Sequence, residues 1–183
     1  MRRLFVWLLA AALLAAWPAL AEENLLQNGD FEQVHDGWPV SWEEDMWLYD
    51  VGVTYLELRE GGVDGGLCAL VENVSSNDAR FVQTVEVQPD TVYRLTGFVK
   101  AEGIDPETGA GASLSVIGSY GMFPSVYDTG GEWTELTSYF KTHANQRSLI
   151  VGARLGDYSA DNSGKAWFDG LSLTRADEAP AGV

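Results

Sequence analysis

Carboxylates dominate the chemistry open to this chain: 27 Asp and Glu stand against 11 Lys and Arg in 183 residues. Two acids flanking one bond could act as the acid and base of a glycosidase, and the nearest candidates are Glu132 with Glu135 and the run Glu43-Glu44-Asp45. Neither pattern reads as catalytic. Glu132 and Glu135 sit beside the Gly130-Gly131 turn, where solvated side chains are the natural reading, and the Glu-x-Asp-x-x-Glu spacing of jelly-roll glucanases is missing. No histidine cluster, Gly-x-Ser-x-Gly elbow or phosphate loop is present. His35 and His143 are the two histidines, both in polar, loop-like stretches. Cys68 is the lone cysteine, set in the apolar run Gly66–Val71, and is expected to be a small buried hydrophobe. The chain is therefore expected not to be an enzyme.

A formal charge of −16 also excludes partners. Binding to nucleic acid relies on clustered cations that release counterions, and here scattered Lys and Arg lie in an acidic field that repels phosphate, sulfate and anionic lipid. Neutral or cationic partners remain. With 46% hydrophobic and 11% aromatic residues the chain can bury a core, and its length suits one domain.

Met1 to Ala21 reads as a cleaved signal peptide. Arg2-Arg3 precede the apolar run Leu4 to Trp17, and Ala19 and Ala21 supply the small residues of a cleavage site. The run is shorter than the roughly 20 residues that a bilayer span needs, and no later segment is apolar enough to insert. The mature product is expected outside the cytoplasm, secreted or at the cell surface. A lone thiol cannot close an internal disulfide, so a core or a metal must supply the stapling.

Short alternating or β-branched runs, punctuated by Gly, Asp, Asn and Pro, predict strands at Leu67–Glu72, Phe81–Val87, Thr91–Ala101, Ala112–Gly118, Trp133–Thr142, Ser148–Leu155 and Lys165–Thr174. Turns are predicted at Gln88–Asp90, Asp105–Gly109, Asp128–Gly131 and Asp161–Gly164. The fold class is all-β, a two-sheet antiparallel sandwich over 22–175, with 176–183 a frayed tail or the start of a linker. Period-two alternation turns Tyr93, Leu95, Gly97 and Val99 inward and Arg94, Thr96, Phe98 and Lys100 outward. By the same rule Leu149, Val151, Ala153 and Leu155 face in while Ile150, Gly152 and Arg154 face out. Leu136, Ser138 and Phe140 face in, and Thr137, Tyr139 and Lys141 face out. An outward mixture of Phe, Tyr, Ile, Arg and Thr predicts a groove rather than a plain solvated face.

Asn24-Leu25-Leu26-Gln27-Asn28-Gly29-Asp30-Phe31-Glu32 followed by Gly37-Trp38-Pro39-Val40-Ser41-Trp42 resembles the opening of carbohydrate-binding modules of families 4, 9 and 22. Gly65–Cys68, Phe81–Val85, Tyr93–Gly97, Gly131–Trp133, Leu155-Gly156 and Trp167–Leu173 agree in order, so the resemblance spans roughly Asn24 to Thr174. It implies a galactose-binding-like jelly roll with a structural calcium held around Asp30 to Glu32, by a loop carbonyl near Gly65 and by the Asp169 carboxylate. A hard cation takes several oxygens at once, and this one would tie both ends of the domain together. Gly170 follows Asp169 where the family often has a second acid, and no cysteine in the last strand matches Cys68.

The resemblance further implies a neutral polysaccharide or oligosaccharide as partner, and a module linked to or acting beside a glycoside hydrolase or a cell-surface protein. Gln83 and Arg154 match places where the family often puts polar groove residues. Phe98, Tyr120 and Tyr139 are added from strand parity and loop position, and Trp47, just past the core candidate Trp42, as a platform at the groove end. Flat rings suit pyranose C–H faces, Gln both donates and accepts, and Arg offers a fork of donors to vicinal hydroxyls. The competing expectation is an extracellular interaction or structural sandwich without glycan binding.

Overall fold

The computed structural model describes residues 23–119, 123–158 and 160–179. The leader 1–21, Tyr120 and the last residues of the tail therefore lie outside the described residues. Among the described residues twelve strands follow one another: β1 Val34–His35, β2 Trp38–Pro39, β3 Glu43–Met46, β4 Thr54–Glu60, β5 Leu67–Asn77 and β6 Ala79–Glu86, then β7 Val92–Glu102, β8 Ala112–Val116, β9 Ser125–Val126, β10 Thr134–Lys141, β11 Ser148–Leu155 and β12 Asn162–Arg175. β1 and β2 form a small hairpin. The rest build two five-stranded sheets, β10-β7-β12-β5-β4 and β3-β6-β11-β8-β9, with every pair antiparallel. The chain switches sheets from β3 to β4, at each step from β5 to β8, and again at each step from β9 to β12. This is the jelly-roll sandwich expected.

Alternation decides which faces meet. Tyr93, Leu95, Val99 and Ala101 from the first sheet are fully buried against Leu114, Val151, Ala153 and Leu155 from the second. Each large aliphatic or aromatic side chain so buried contributes roughly 1.5–3 kcal/mol. One end of the core is aromatic: Phe31 packs on Trp42 with ring centroids 5.0 Å apart, and Trp38 stacks on Phe81 at 5.1 Å. Trp42 is buried and donates its indole N–H to the carbonyl of Asn28 at 2.9 Å.

Two corrections to the expected elements have plain causes. Asp161–Gly164 is not a turn, because β12 runs through it with a bulge between Asn162 and Gly164, where Gly164 adopts φ 124°. The strands β3 and β4 were not expected. Both are edge strands rich in Glu, Asp and Arg, so half their side chains read as loop chemistry.

Both ends of the domain meet at one pole. Leu25 N–H bonds the Leu173 carbonyl at 2.8 Å, and Leu171 N–H bonds the Gly29 carbonyl at 2.8 Å. The Asn24 amide bridges the two segments, donating to the Leu171 carbonyl and accepting from the N–H groups of Leu26 and Leu173.

Candidate functional site

The outward face of the second sheet ends in an ion-pair network built by strand register. Asp45, Arg80 and Arg154 are cross-strand neighbours on β3, β6 and β11, and Asp78 stands two residues before Arg80. Asp78 is 1% exposed and holds both guanidiniums. Arg154 meets it through Nε at 2.7 Å and Nη2 at 2.6 Å, while Arg80 Nη1 reaches its Oδ2 at 2.7 Å. Arg80 also pairs with Asp45 at 2.6 Å, and Arg154 with Asp157 at 2.8 Å. Burial pulls the Arg80 guanidinium down, but Asp78 and Asp45 outweigh it and hold it above its ordinary value.

Over this pair lies the ring of Tyr158, with the Arg154 guanidinium 4.8 Å and that of Arg80 5.5 Å from its centroid. Tyr158 is 55% exposed and Trp47 68% exposed, and with Asp78 and Asp161 they line a cavity of about 200 Å³. Trp47 is placed by its N–H bond to the Asp78 carbonyl at 2.9 Å. The following residue is fixed by Asn77, whose amide exchanges two bonds of 3.0 Å with the backbone of Leu48. Asn77 and Asn73 also share the hydroxyl of Thr54, so loop 46–53 is pinned on two buried amides. Farther along the same outward face Gly152 and Ser115 are buried, and the Ser115 hydroxyl has no hydrogen-bond partner among the described residues.

A second cavity, about 310 Å³, lies at the pole where the ends meet and includes Asp30, Glu32, Asp64, Phe98 and Asp169 in its lining. Asp169 accepts from Val63 N–H at 2.7 Å and Gly170 N–H at 2.6 Å, and Glu32 accepts from Leu67 N–H at 2.6 Å. Burial raises the Asp169 carboxyl above its ordinary value, the two N–H groups oppose the rise, and the charges of Glu32 and Asp30 add to it. Gly66 leaves no room for a side chain against the Glu32 carboxylate. Gly65 sits in the tight turn beside it with φ 85°, its N–H bonded to the Gly62 carbonyl at 2.9 Å.

These acids come from three separated segments and present oxygen only, which fits a hard cation. Among the described residues no three acid, histidine or cysteine side chains are close enough to hold an ion by themselves. Backbone carbonyls of the 62–66 turn would have to complete the set.

The expected groove residues do not share one surface. Phe98 on β7 and Tyr139 on β10 belong to the first sheet, and Arg154 on β11 to the second, so their outward faces point away from each other. Phe98 instead abuts Gly170 beside the acidic cavity, and Tyr139 faces Arg94 across the β10–β7 pair. Gln83 is buried, because it shares parity with Phe81 and Val85, and both ends of its amide bond the backbone of Gln27 at 2.8 and 2.9 Å. Arg154 is 4% exposed and its donors are committed to Asp78 and Asp157, so it supports a wall rather than offering a free fork. Trp47 stands open to solvent at the site.

Tyr158, Asp78, Arg80 and Asp161 were missed. Asp78, between β5 and β6, stands two residues before Arg80, an opposite-charge spacing that was a usable signal; Tyr158 stands on a loop that no periodicity marks. Cys68 is fully buried, and burial pushes its thiol up to about 11, so it is inert at neutral pH.

Solved carbohydrate-binding modules share this fold, as the opening motifs implied. Among solved structures, the CBM22-1 xylan-binding domain of Xyn10C from Paenibacillus barcinonensis aligns with a TM-score of 0.59 at 16% identity, over 88% of this chain and 99% of that one. TmCBM61, solved in complex with β-1,4-galactotriose, aligns with a TM-score of 0.55 at 18% identity, over 84% and 99%. In sequence the chain is 27% identical over 173 residues to the tRNA nuclease WapA of Bacillus subtilis strain 168, and equally to the tRNA3(Ser)-specific nuclease WapA of Bacillus spizizenii. Those alignments take in 86% of this chain and 7% of each relative's length, so the chain spans a small fraction of the curated proteins it matches. No protein-family model matches the chain.

Proposed function

We propose that this chain is a secreted, non-catalytic module that binds a neutral saccharide between Trp47 and Tyr158. One observation carries the reading: two large, exposed rings face a single cavity whose floor is Asp78 and whose wall is Asp161. Rings of this kind suit the C–H faces of a pyranose, and the Asp161 carboxylate, not the committed Asp78, is the acceptor for its hydroxyls. The arginines below stiffen Tyr158 from beneath and leave the rim acidic, so an anionic sugar is disfavoured. The nuclease activity of the WapA relatives is a property of proteins many times longer, and an acidic module suits an accessory role in a longer chain better than contact with RNA.

Affinity electrophoresis in gels containing soluble glucan, xylan, mannan or galactan tests the reading. Retardation by one neutral polysaccharide is expected, and Trp47→Ala or Tyr158→Ala should each weaken it about tenfold or more, as loss of an aromatic anchor does. Melting should move little for Trp47→Ala, whose side chain is exposed. No retardation by any glycan would overturn the assignment. Leu48, Tyr49, Val51 and Val74 are also exposed around loop 46–53, which favours a protein-binding surface as the second reading. Capture of a protein partner without any glycan binding would select it.

We also propose a structural calcium at Asp30, Glu32 and Asp169, completed by carbonyls near Gly65. When bound, the ion would offset two of the three negative charges of the facing acids and lock the 62–66 turn to both ends of the domain. At 100 times its Kd such an ion stabilises by about 2.7 kcal/mol, which for a domain of this size is roughly 5–10 °C in Tm. Calorimetric melts in calcium and in excess chelator should differ by that amount, and Asp169→Ala should abolish the difference. Identical wild-type melts would remove the calcium from the account.

A further inference from the structure

The outward face of the first sheet, opposite the Trp47 and Tyr158 cavity, carries an aromatic and cationic cluster of its own. Trp133, just before β10, stands beside Lys100 of β7, and Lys100 is paired in register with Trp167 of β12. The ammonium of Lys100 lies 4.9 Å from the centroids of both indoles. Among the described residues it has no carboxylate or other hydrogen-bond acceptor, whereas Arg59, Arg80, Arg154 and Lys165 each meet an acid. Its three N–H donors are held in place by aromatic faces and claimed by nothing. Both tryptophans and the lysine are half-buried, so the group is set firmly but reachable.

The surroundings define what could claim those donors. Glu57 lies in the same cross-strand row, beyond Trp167 and Leu70, while Glu102 and Glu135 occupy the neighbouring rows. With Arg59 paired to Glu57 and Lys165 to Glu72 on the same face, acids still outnumber cations, which disfavours a uronate, sulfate or phosphate, while the oxygens of Glu102 and Glu135 accept from hydroxyls. Trp133 and Trp167 are two strands apart, about 9–10 Å, which spans a disaccharide rather than a single small group. Donors, acceptors and indole edges on a flat sheet match an extended neutral sugar chain.

We infer that this face, centred on Lys100 between Trp133 and Trp167, is a second saccharide-binding surface, and that the module therefore holds two neutral chains on opposite sides. The inference goes beyond the Trp47 and Tyr158 site and is separable from it. Affinity electrophoresis of the full chain against β-1,4-linked galactan, xylan and glucan, with the double variant Trp47→Ala/Tyr158→Ala, isolates the second face. Residual retardation is expected in that variant, and adding Lys100→Met, which keeps the stem packed between the indoles, should reduce it at least tenfold. Trp167→Ala should do the same. Wild type, but neither the double variant nor Lys100→Met, should cross-link the polysaccharide and raise its turbidity. Thermal melts check that each variant is folded. If wild type is retarded and the double variant is not, or if residual retardation ignores both Lys100→Met and Trp167→Ala, the second surface is overturned while the first stands. If no glycan retards wild type, both fall.

Discussion

Asp78→Ala is expected to destabilise the domain by about 3–5 kcal/mol, the largest loss of any single substitution considered. Asp78 is the shared anion of Arg80 and Arg154, and all three side chains are at least 94% buried. Its removal leaves two adjacent guanidiniums with only Asp45 and Asp157, which are half exposed, to compensate them. The contribution being lost is largely the penalty of stranding buried charge, so replacing the whole group behaves differently. Asp78→Leu combined with Arg80→Met and Arg154→Met should recover most of the stability, because the desolvation cost leaves together with the attraction. Urea denaturation of the single and triple variants measures both. A single variant within 1 kcal/mol of wild type would mean that the network is solvated and does not brace Tyr158.

Asn77→Ala should cost about 2–4 kcal/mol and, more tellingly, should uncouple Trp47 from the sandwich. The amide is fully buried and gives Leu48 its two backbone partners, so truncation orphans a donor and an acceptor at roughly 1–3 kcal/mol each. Thr54 loses a partner as well. Loop 46–53 is then free to open to water, which relieves part of the cost and removes the fixed platform. Hydrogen exchange should speed up at Leu48, with the central strands β7, β11 and β12 unchanged, and saccharide retardation should fall as it does for Trp47→Ala. Unaltered exchange at Leu48 would show that the loop is held by other contacts.

The sandwich was legible because its central strands are two-sided and alternate cleanly. Val92–Glu102 buries every second residue from Tyr93 to Ala101, and parity alone gave that face correctly. Ser148–Leu155 matched its predicted limits. The site was less legible because parity says that a residue points out but not which of two opposite faces it points from. Phe98, Tyr139 and Arg154 were all outward, yet the chain's habit of switching sheets sends them to different sides. Outward also failed to mean open: Arg154 is sealed by Asp78, Asp157 and Tyr158, partners that lie far from it in sequence or on an unpatterned loop. Trp47 needed no such knowledge, since a tryptophan on a short loop just beyond a core tryptophan has few places to hide. The acidic residues Asp30, Glu32 and Asp169 line one cavity because both termini of the fold are tied at that pole.

The joined ends have a mechanical consequence. Leu25 and Leu173 pair with their chain directions opposed, so a force applied between the mature N-terminus and the segment after β12 would load the bond between them and peel the two segments apart like a zipper, one contact at a time. The Asn24 bracket would yield first and the Gly29–Leu171 contact next. Peeling then arrives at Asp30, Glu32 and Asp169, where an ion would act as a rivet, so that calcium level would set whether a strained module slackens at its hem or opens through.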